Sequence, residues 1–219
     1  RKLAHEFKNP LTPIQLSIDS LREKYKKKLN NESKEFEKYL ETINRQIKDI
    51  EKLVNEFSNF ARMPRPILKK IDIVSLIKKS IEFAKMSSKS SINFNFNDQT
   101  IFIKGDEDQL NRVFINLIKN SEEAFLENTK KNPNFKGIIN IEINSNNDYI
   151  VLKFKDNGSG ISDPKKAMTP YFTTKKTGTG LGLPIVNKII NEHAGIFLID
   201  NIKNGKGVLI KISLPKIDA

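Results

Sequence analysis

Four short stretches of the chain combine residue types that can do chemistry. His5-Glu6-Phe7-Lys8-Asn9-Pro10 offers an imidazole with a carboxylate and an amide beside it, and Asn116-Leu117-Ile118-Lys119-Asn120 offers paired amides. Asp156-Asn157-Gly158-Ser159-Gly160 and Gly178-Thr179-Gly180-Leu181-Gly182 are glycine clusters. The first stretch is a candidate nucleophile; the other three form a candidate nucleotide cradle. In this order they predict phosphoryl transfer from a nucleotide onto the chain's own histidine.

His5 and Asn9 are four residues apart and share one face of a helix, with Glu6 about 100° around the axis. Pro10 and Pro13 would each remove a backbone hydrogen bond from a helix interior, at about 3 kcal/mol apiece. Two arrangements fit. The helix runs through the prolines and bends there, exposing the imidazole, or Asn9 is an N-cap and His5 precedes the helix. The Leu3, Phe7, Leu11 spacing favours the continuous helix, because a frayed tail has no use for an apolar stripe.

Asn116 and Asn120 likewise share a helix face, and paired amide oxygens can ligate magnesium, although solvated asparagines would look the same. Asp156 ends a strand; its carboxylate can accept from an exocyclic amine while Gly158 and Gly160 admit a ligand to the backbone, or the segment is a tight turn. Gly178, Gly180 and Gly182 lead to Pro184, which suits the first position of a helix whose amides attract phosphate oxygens. Thr173, Thr174, Lys175, Lys176 and Thr177 carry no periodic pattern and read as a lid with phosphate donors. Neither the Walker loop nor the dinucleotide-fold fingerprint is present.

Two kinds of periodicity position these residues. Phe36, Leu40, Ile43, Ile47, Ile50, Val54, Phe57 and Ala61 keep a 4-3-4-3 heptad spacing, and Leu3, Phe7, Leu11, Ile14, Ile18, Leu21 and Tyr25 form a similar stripe before the polar Lys26 to Asn31 stretch. An antiparallel helical hairpin follows. It cannot hide both seams alone, so a homodimer forming a four-helix bundle is expected. Met63-Pro64-Arg65-Pro66 ends the helical pattern. The expected organisation is a hairpin domain at 1–62, a hinge at 63–66 and an α+β sandwich domain at 67–219. In the last, strands are predicted at Ile92–Phe96, Ile139–Ile143, Val151–Phe154 and Val208–Ile212, and helices at Ile73–Met86, Glu107–Phe125 and Pro184–His193, with one sheet face covered by helices.

The 219 residues carry a formal charge of +12, but lysine, asparagine and isoleucine are abundant throughout and no nucleic-acid motif accompanies the charge. Direct nucleic-acid binding is not expected. The chain has no cysteine and two histidines, which excludes disulfides and thiolate metal sites. No apolar run is long enough to insert in a membrane, so the expected location is the cytoplasm.

These residues resemble the sensor histidine kinases of two-component signalling. His5 to Pro13 looks like their H box, Asn116 to Ala124 their N box, Asp156 to Gly160 their G1 box, Phe172 their F box and Gly178 to Gly182 their G2 box. Asn9-Pro10-Leu11-Thr12-Pro13-Ile14-Gln15-Leu16-Ser17, with Phe57-Ser58-Asn59-Phe60-Ala61-Arg62-Met63-Pro64, is similar to the NtrY-type nitrogen-regulation kinases. The resemblance implies a multidomain protein: a dimerisation and phosphotransfer hairpin followed by an ATP-binding domain of the gyrase, chaperone and histidine-kinase type. It implies that His5 is the phosphoacceptor, Glu6 its acid-base partner and Asn9 the residue that orients water for dephosphorylating a response regulator. It further implies that Asn120 and Asn116 hold Mg2+, that Asp156 reads the adenine amine, and that Gly158, Gly160, Phe172, Thr173, Thr174, Lys175, Gly178, Thr179, Gly180, Leu181 and Gly182 shape the ATP pocket and its lid. The partner would be the receiver domain of a response regulator. Family members extend upstream of the H box, so a longer, membrane-anchored protein is expected, with this part facing the cytoplasm. Ser121 and Pro184 stand where alanine is usual, and His193 reads as packing. Rival readings are an ATP-gated conformational machine, disfavoured by the H box on a heptad hairpin, and a non-catalytic scaffold, disfavoured by the intact glycine loops.

Overall fold

A computed structural model describes residues 10–25, 33–86, 90–96, 100–146, 148–175, 178–203 and 206–218. Contacts divide the chain into two compact units, Arg1–Met63 with Lys175–Thr179, and Pro64–Thr174 with Gly180–Ala219.

The first unit contains α1 (Leu11–Tyr25) and α2 (Ser33–Ala61). Leu11, Ile18, Leu40 and Ile47 form its buried cluster, with Phe36 packed against it. Beyond that cluster, Tyr25 meets Phe36 edge-on at 6.2 Å, and Arg22 Nε donates to Glu37 at 3.0 Å. The heptad seam is used by halves. Leu40, Ile47 and Val54, spaced by seven, are buried, whereas Ile43 and Ile50 are 44% and 48% exposed and Ile14 and Leu21 on α1 are also exposed. One hairpin therefore covers Leu40, Ile47 and Val54 and leaves Ile43 and Ile50 open. The proposed turn at 26–31 lies outside the described residues.

The second unit contains β1 (Lys69–Asp72), α3 (Ile73–Lys85), β2 (Ser91–Asn95), β3 (Phe102–Gly105), α4 (Glu107–Lys131), β4 (Ile138–Ser145), β5 (Tyr149–Asp156), α5 (Pro164–Ala167), α6 (Gly182–Glu192), β6 (Ile196–Asn201) and β7 (Val208–Pro215). The main sheet has the order β2-β4-β5-β7-β6, parallel between β2 and β4 and antiparallel elsewhere, while β1 and β3 pair separately. Alternation puts Ile141, Ile143, Leu152, Phe154, Ile210 and Ile212 on one buried face. Register aligns them: Phe154 lies between Ile141 and Ile210, and Leu152 between Ile143 and Ile212. Helices α3, α4 and α6 supply the opposing apolar faces, including Ile77, Leu110, Val113 and Ile189, all 0% exposed. This is the α+β sandwich expected.

Local chemistry sets the helix bounds. Asp72 caps α3 through the Val74 N–H, and Asp106 caps α4 through the Gln109 N–H at 3.1 Å. Lys130 and Lys131 close α4, which runs six residues past the expected Phe125 because its last turn needs no buried stripe to stay helical. Helix α6 begins at Gly182, so Pro184 stands third in the helix rather than first; it is still within the turn whose N–H groups lack intrahelical partners. Asp106 also accepts from the Ile67 N–H at 2.8 Å, and Gln109 Nε2 donates to the Pro64 carbonyl at 3.0 Å. Both ends of the Pro64–Ile67 segment are thus bonded to the start of α4. Burial alone would raise the Asp106 carboxyl, but donation from Ile67 and Gln109, with His193 nearby, holds it below its ordinary value. His193 is buried and uses both ring nitrogens: Nε2 accepts from the Asp106 N–H at 2.9 Å, and Nδ1 faces the Ile189 carbonyl at 2.8 Å. It packs and braces, with neither nitrogen left for catalysis.

Candidate nucleotide-binding site

The core face of α4, carried by Leu110, Val113 and Leu117, fixes the helix so that Asn116 and Asn120 lie together on another side, both half-buried. Asn116 Nδ2 donates to the Arg112 carbonyl at 2.9 Å, which ties its nitrogen to its own helix and leaves Oδ1 for whatever lies across. What lies across is the start of α6. A Cβ on Gly182 would sit 3.6 Å from the amide atoms of Asn120 and 3.8 Å from Asn116 Oδ1. The residue before the helix, Leu181, is wholly buried and makes no side-chain cap. Its side chain is core, so only its backbone faces the loop. Two amides and an uncapped helix start therefore converge, a suitable place for a phosphate and a hard cation. Among the described residues no group of three or more His, Cys, Asp or Glu could hold a metal. The amide oxygens fit magnesium of the kind that takes most of its ligands from phosphate and water.

Asp156 closes β5, and its carboxylate is buried. Its Oδ1 accepts from the N–H groups of Gly158 at 2.8 Å and Val208 at 3.2 Å, and its Oδ2 from the Ser121 hydroxyl at 3.0 Å. Gly158 packs against α4, where an added Cβ would come within 2.9 Å of the Ala124 Cβ. The loop beyond it is pinned by Asn201, which accepts from the Ile161 N–H and donates to the Ile161 carbonyl, each at 2.7 Å. Gly207 has φ +116°, and a Cβ there would meet the Asp156 carbonyl at 1.9 Å, so no other residue fits.

Gly180, at φ +68°, lies against the Tyr171–Phe172 backbone, where a Cβ would meet Tyr171 C at 2.5 Å. Its carbonyl accepts from the Tyr171 N–H at 3.1 Å, which joins Phe172 to the second glycine cluster. Phe172 is half-buried, and Thr173 and Thr174 are exposed. Lys175, Gly178 and Thr179 group with the hairpin residues instead, where the Thr179 hydroxyl donates to the Glu56 carboxylate. Asn116, Asn120 and Gly182 are thus brought together, as are Asp156, Gly158 and Gly160 through a shared loop. His5, Glu6 and Asn9 lie outside the described residues, as do Lys176 and Thr177. Three residues of the site had no role read for them in the sequence. Ser121, Asn201 and Gly207 act on partners 35, 40 and about 50 residues away, and nothing in their local spacing marks them.

The family model described as histidine kinase-, DNA gyrase B-, and HSP90-like ATPase matches residues 105–217. The chain belongs to this family. The membership implies ATP binding. The His Kinase A (phospho-acceptor) domain matches residues 1–66, and the pair gives the make-up of a sensor histidine kinase catalytic core. The nitrogen regulation protein NtrY of Azorhizobium caulinodans is 33% identical over 216 residues, covering 98% of this chain and 28% of that protein. A protein of Rickettsia conorii named for its likeness to NtrY is 38% identical over 223 residues, covering 100% of this chain and 36% of its own length. Among solved structures, the catalytic domain of the histidine kinase ThkA matches at 28% identity and a TM-score of 0.57, over 68% of this chain and 95% of that domain. The chain spans about a third of the length of the curated relatives it matches. Among the described residues no helix is long and apolar enough to cross a membrane.

Proposed function

We propose that this chain is the part of an NtrY-like sensor kinase that phosphorylates itself on His5 from ATP and passes the phosphoryl group to an aspartate of a response regulator. The observation that carries the reading is the convergence of Asn116, Asn120 and the uncapped start of α6 in a chain whose first 66 residues match a phospho-acceptor domain.

In this reading Asp156 accepts from the adenine amine, and the N–H groups at the start of α6, with lid donors Thr173, Thr174 and Lys175, bind the phosphates. Asn116 and Asn120 present amide oxygens that would hold Mg2+, which when bound neutralises charge on the β- and γ-phosphates. The chain's own contribution is positioning, the main requirement of phosphoryl transfer. Glu6 takes the proton from the His5 imidazole as its nitrogen becomes the nucleophile, and Asn9 orients water when the regulator is dephosphorylated. The open heptad positions Ile43 and Ile50 are covered by a second copy in a four-helix bundle. The ATP supply places this part of the protein on the cytoplasmic side.

Transfer needs the nucleotide domain to approach His5 and withdraw. The bonds from Asp106 and Gln109 to Ile67 and Pro64 support a pivot at the Met63–Pro64 junction, with Pro64–Ile67 travelling with the ATP-binding domain. Incubation with γ-labelled ATP and magnesium is expected to give acid-labile, base-stable label; an acid-stable product would contradict a phosphohistidine.

A further inference from the structure

Asp156 has little accepting capacity to spare, and Ser121 determines where the remainder points. A carboxylate offers about four lone-pair sites. Gly158 and Val208 fill Oδ1, and Ser121 takes one site on Oδ2. A single acceptor site on Oδ2 is left for a ligand. Both partners are buried, Ser121 at 3% and Asp156 at 6% exposure, so the bond between them is shielded from water. Alanine would occupy the same place on α4 without a clash, yet it would leave Oδ2 without its buried donor. The hydroxyl is therefore not required by packing.

We propose that Ser121 is a positioning residue for base recognition, holding the Asp156 carboxylate so that its one remaining Oδ2 lone pair meets a purine 6-amino group. The arrangement disfavours 6-oxo purines: a carboxylate oxygen has no proton to offer their carbonyl oxygen, and the Ser121 proton, committed to Asp156, is unavailable to donate to it. Without Ser121 the carboxylate is held only through Oδ1, and water can take the vacated Oδ2 site. The inference rests on the reading of Asp156 as the acceptor for the adenine amine.

The test compares dissociation constants for ADP and inosine diphosphate, measured by calorimetry on the intact chain. Ser121→Ala is expected to lower the preference for ADP about three- to ten-fold, the range for loss of one well-made hydrogen bond. Ser121→Cys, similar in volume but a weak donor, is expected to do the same and serves if the alanine variant does not fold. Asp156→Asn is expected to abolish the preference, and adding Ser121→Ala to it should change the ratio no further, because Ser121 acts through Asp156. An unchanged ratio in a folded Ser121 variant, or a further loss in the double variant, overturns the proposal while leaving Asp156 in its role. A preference that survives Asp156→Asn overturns the reading of Asp156 and the proposal with it.

Discussion

The hairpin and the ATP-binding unit spend their apolar residues differently. In the ATP-binding unit the stripes of α3, α4 and α6 meet the apolar face of the sheet, and Ile77, Leu110, Val113, Ile139 and Ile189 are all fully covered within one chain. In the hairpin, Leu40 and Ile47 are covered while Ile43, Ile50 and Leu53 on the same helix stay more than 40% exposed. The ATP-binding unit satisfies its own core. The hairpin leaves a seam for another molecule, so its stability should depend on concentration and that of the ATP-binding unit should not.

The largest effect should come from breaking the seam. Replacing Ile43 and Ile50 by serine in both copies removes apolar side chains worth about 1.5–3 kcal/mol each when fully buried. Sedimentation should then show a monomer with the helical content of the ATP-binding unit intact; an unchanged dimer would mean that a different face closes the bundle. Next comes a core change in the other unit. Leu117→Ala, at a position 1% exposed, should cost about 2–5 kcal/mol. A thermal melt should report that loss independently of protein concentration, and a concentration-dependent shift would blur the contrast between the units.

The sequence made some of this contrast legible, and the reasons are local. The heptad of α2 is long enough to show its period, and β4, β5 and β7 alternate because one sheet face is covered and the other is not. Strand β6 hid because Ile196-Phe197-Leu198-Ile199 is a continuous apolar run, although Ile196 and Leu198 point to the exposed side. Strands β1 and β3 have four residues each, too few to display a period, and α5 is a single turn. At the site, the amides and glycines stood out because their spacing is local. Ser121 did not: it looked like a substitute for alanine, and its bond to Asp156 exists only once β5 packs beside α4. Which heptad positions each hairpin buries was also beyond reading, since Leu40, Ile47 and Val54 on one side and Ile43 and Ile50 on the other are all apolar.

A smaller effect should sharpen the boundary between the units. Asp106→Ala removes the cap of α4 and the acceptor of the Ile67 N–H, and caps are worth about 1 kcal/mol. Because the Asp106 carboxyl is held below its ordinary value, about 3.9 in the unfolded chain, its contribution is present above that pH and lost as the pH falls through the folded value. The wild type and Asp106→Ala should therefore differ in stability at neutral pH and converge in acid. Denaturant titrations from neutral pH into acid would show the convergence; a difference that persists once the carboxyl is protonated in the folded protein would place the effect in packing instead.

The central claim is that nucleotide binding and the phosphoacceptor belong to separate units of the chain. His5→Gln tests it most directly, with ADP binding and labelling from γ-labelled ATP measured on the same preparation. This variant should bind ADP with magnesium as the wild type does and take up no acid-labile phosphate. Retained label would remove His5 from its role, and lost ADP binding would contradict the separation itself.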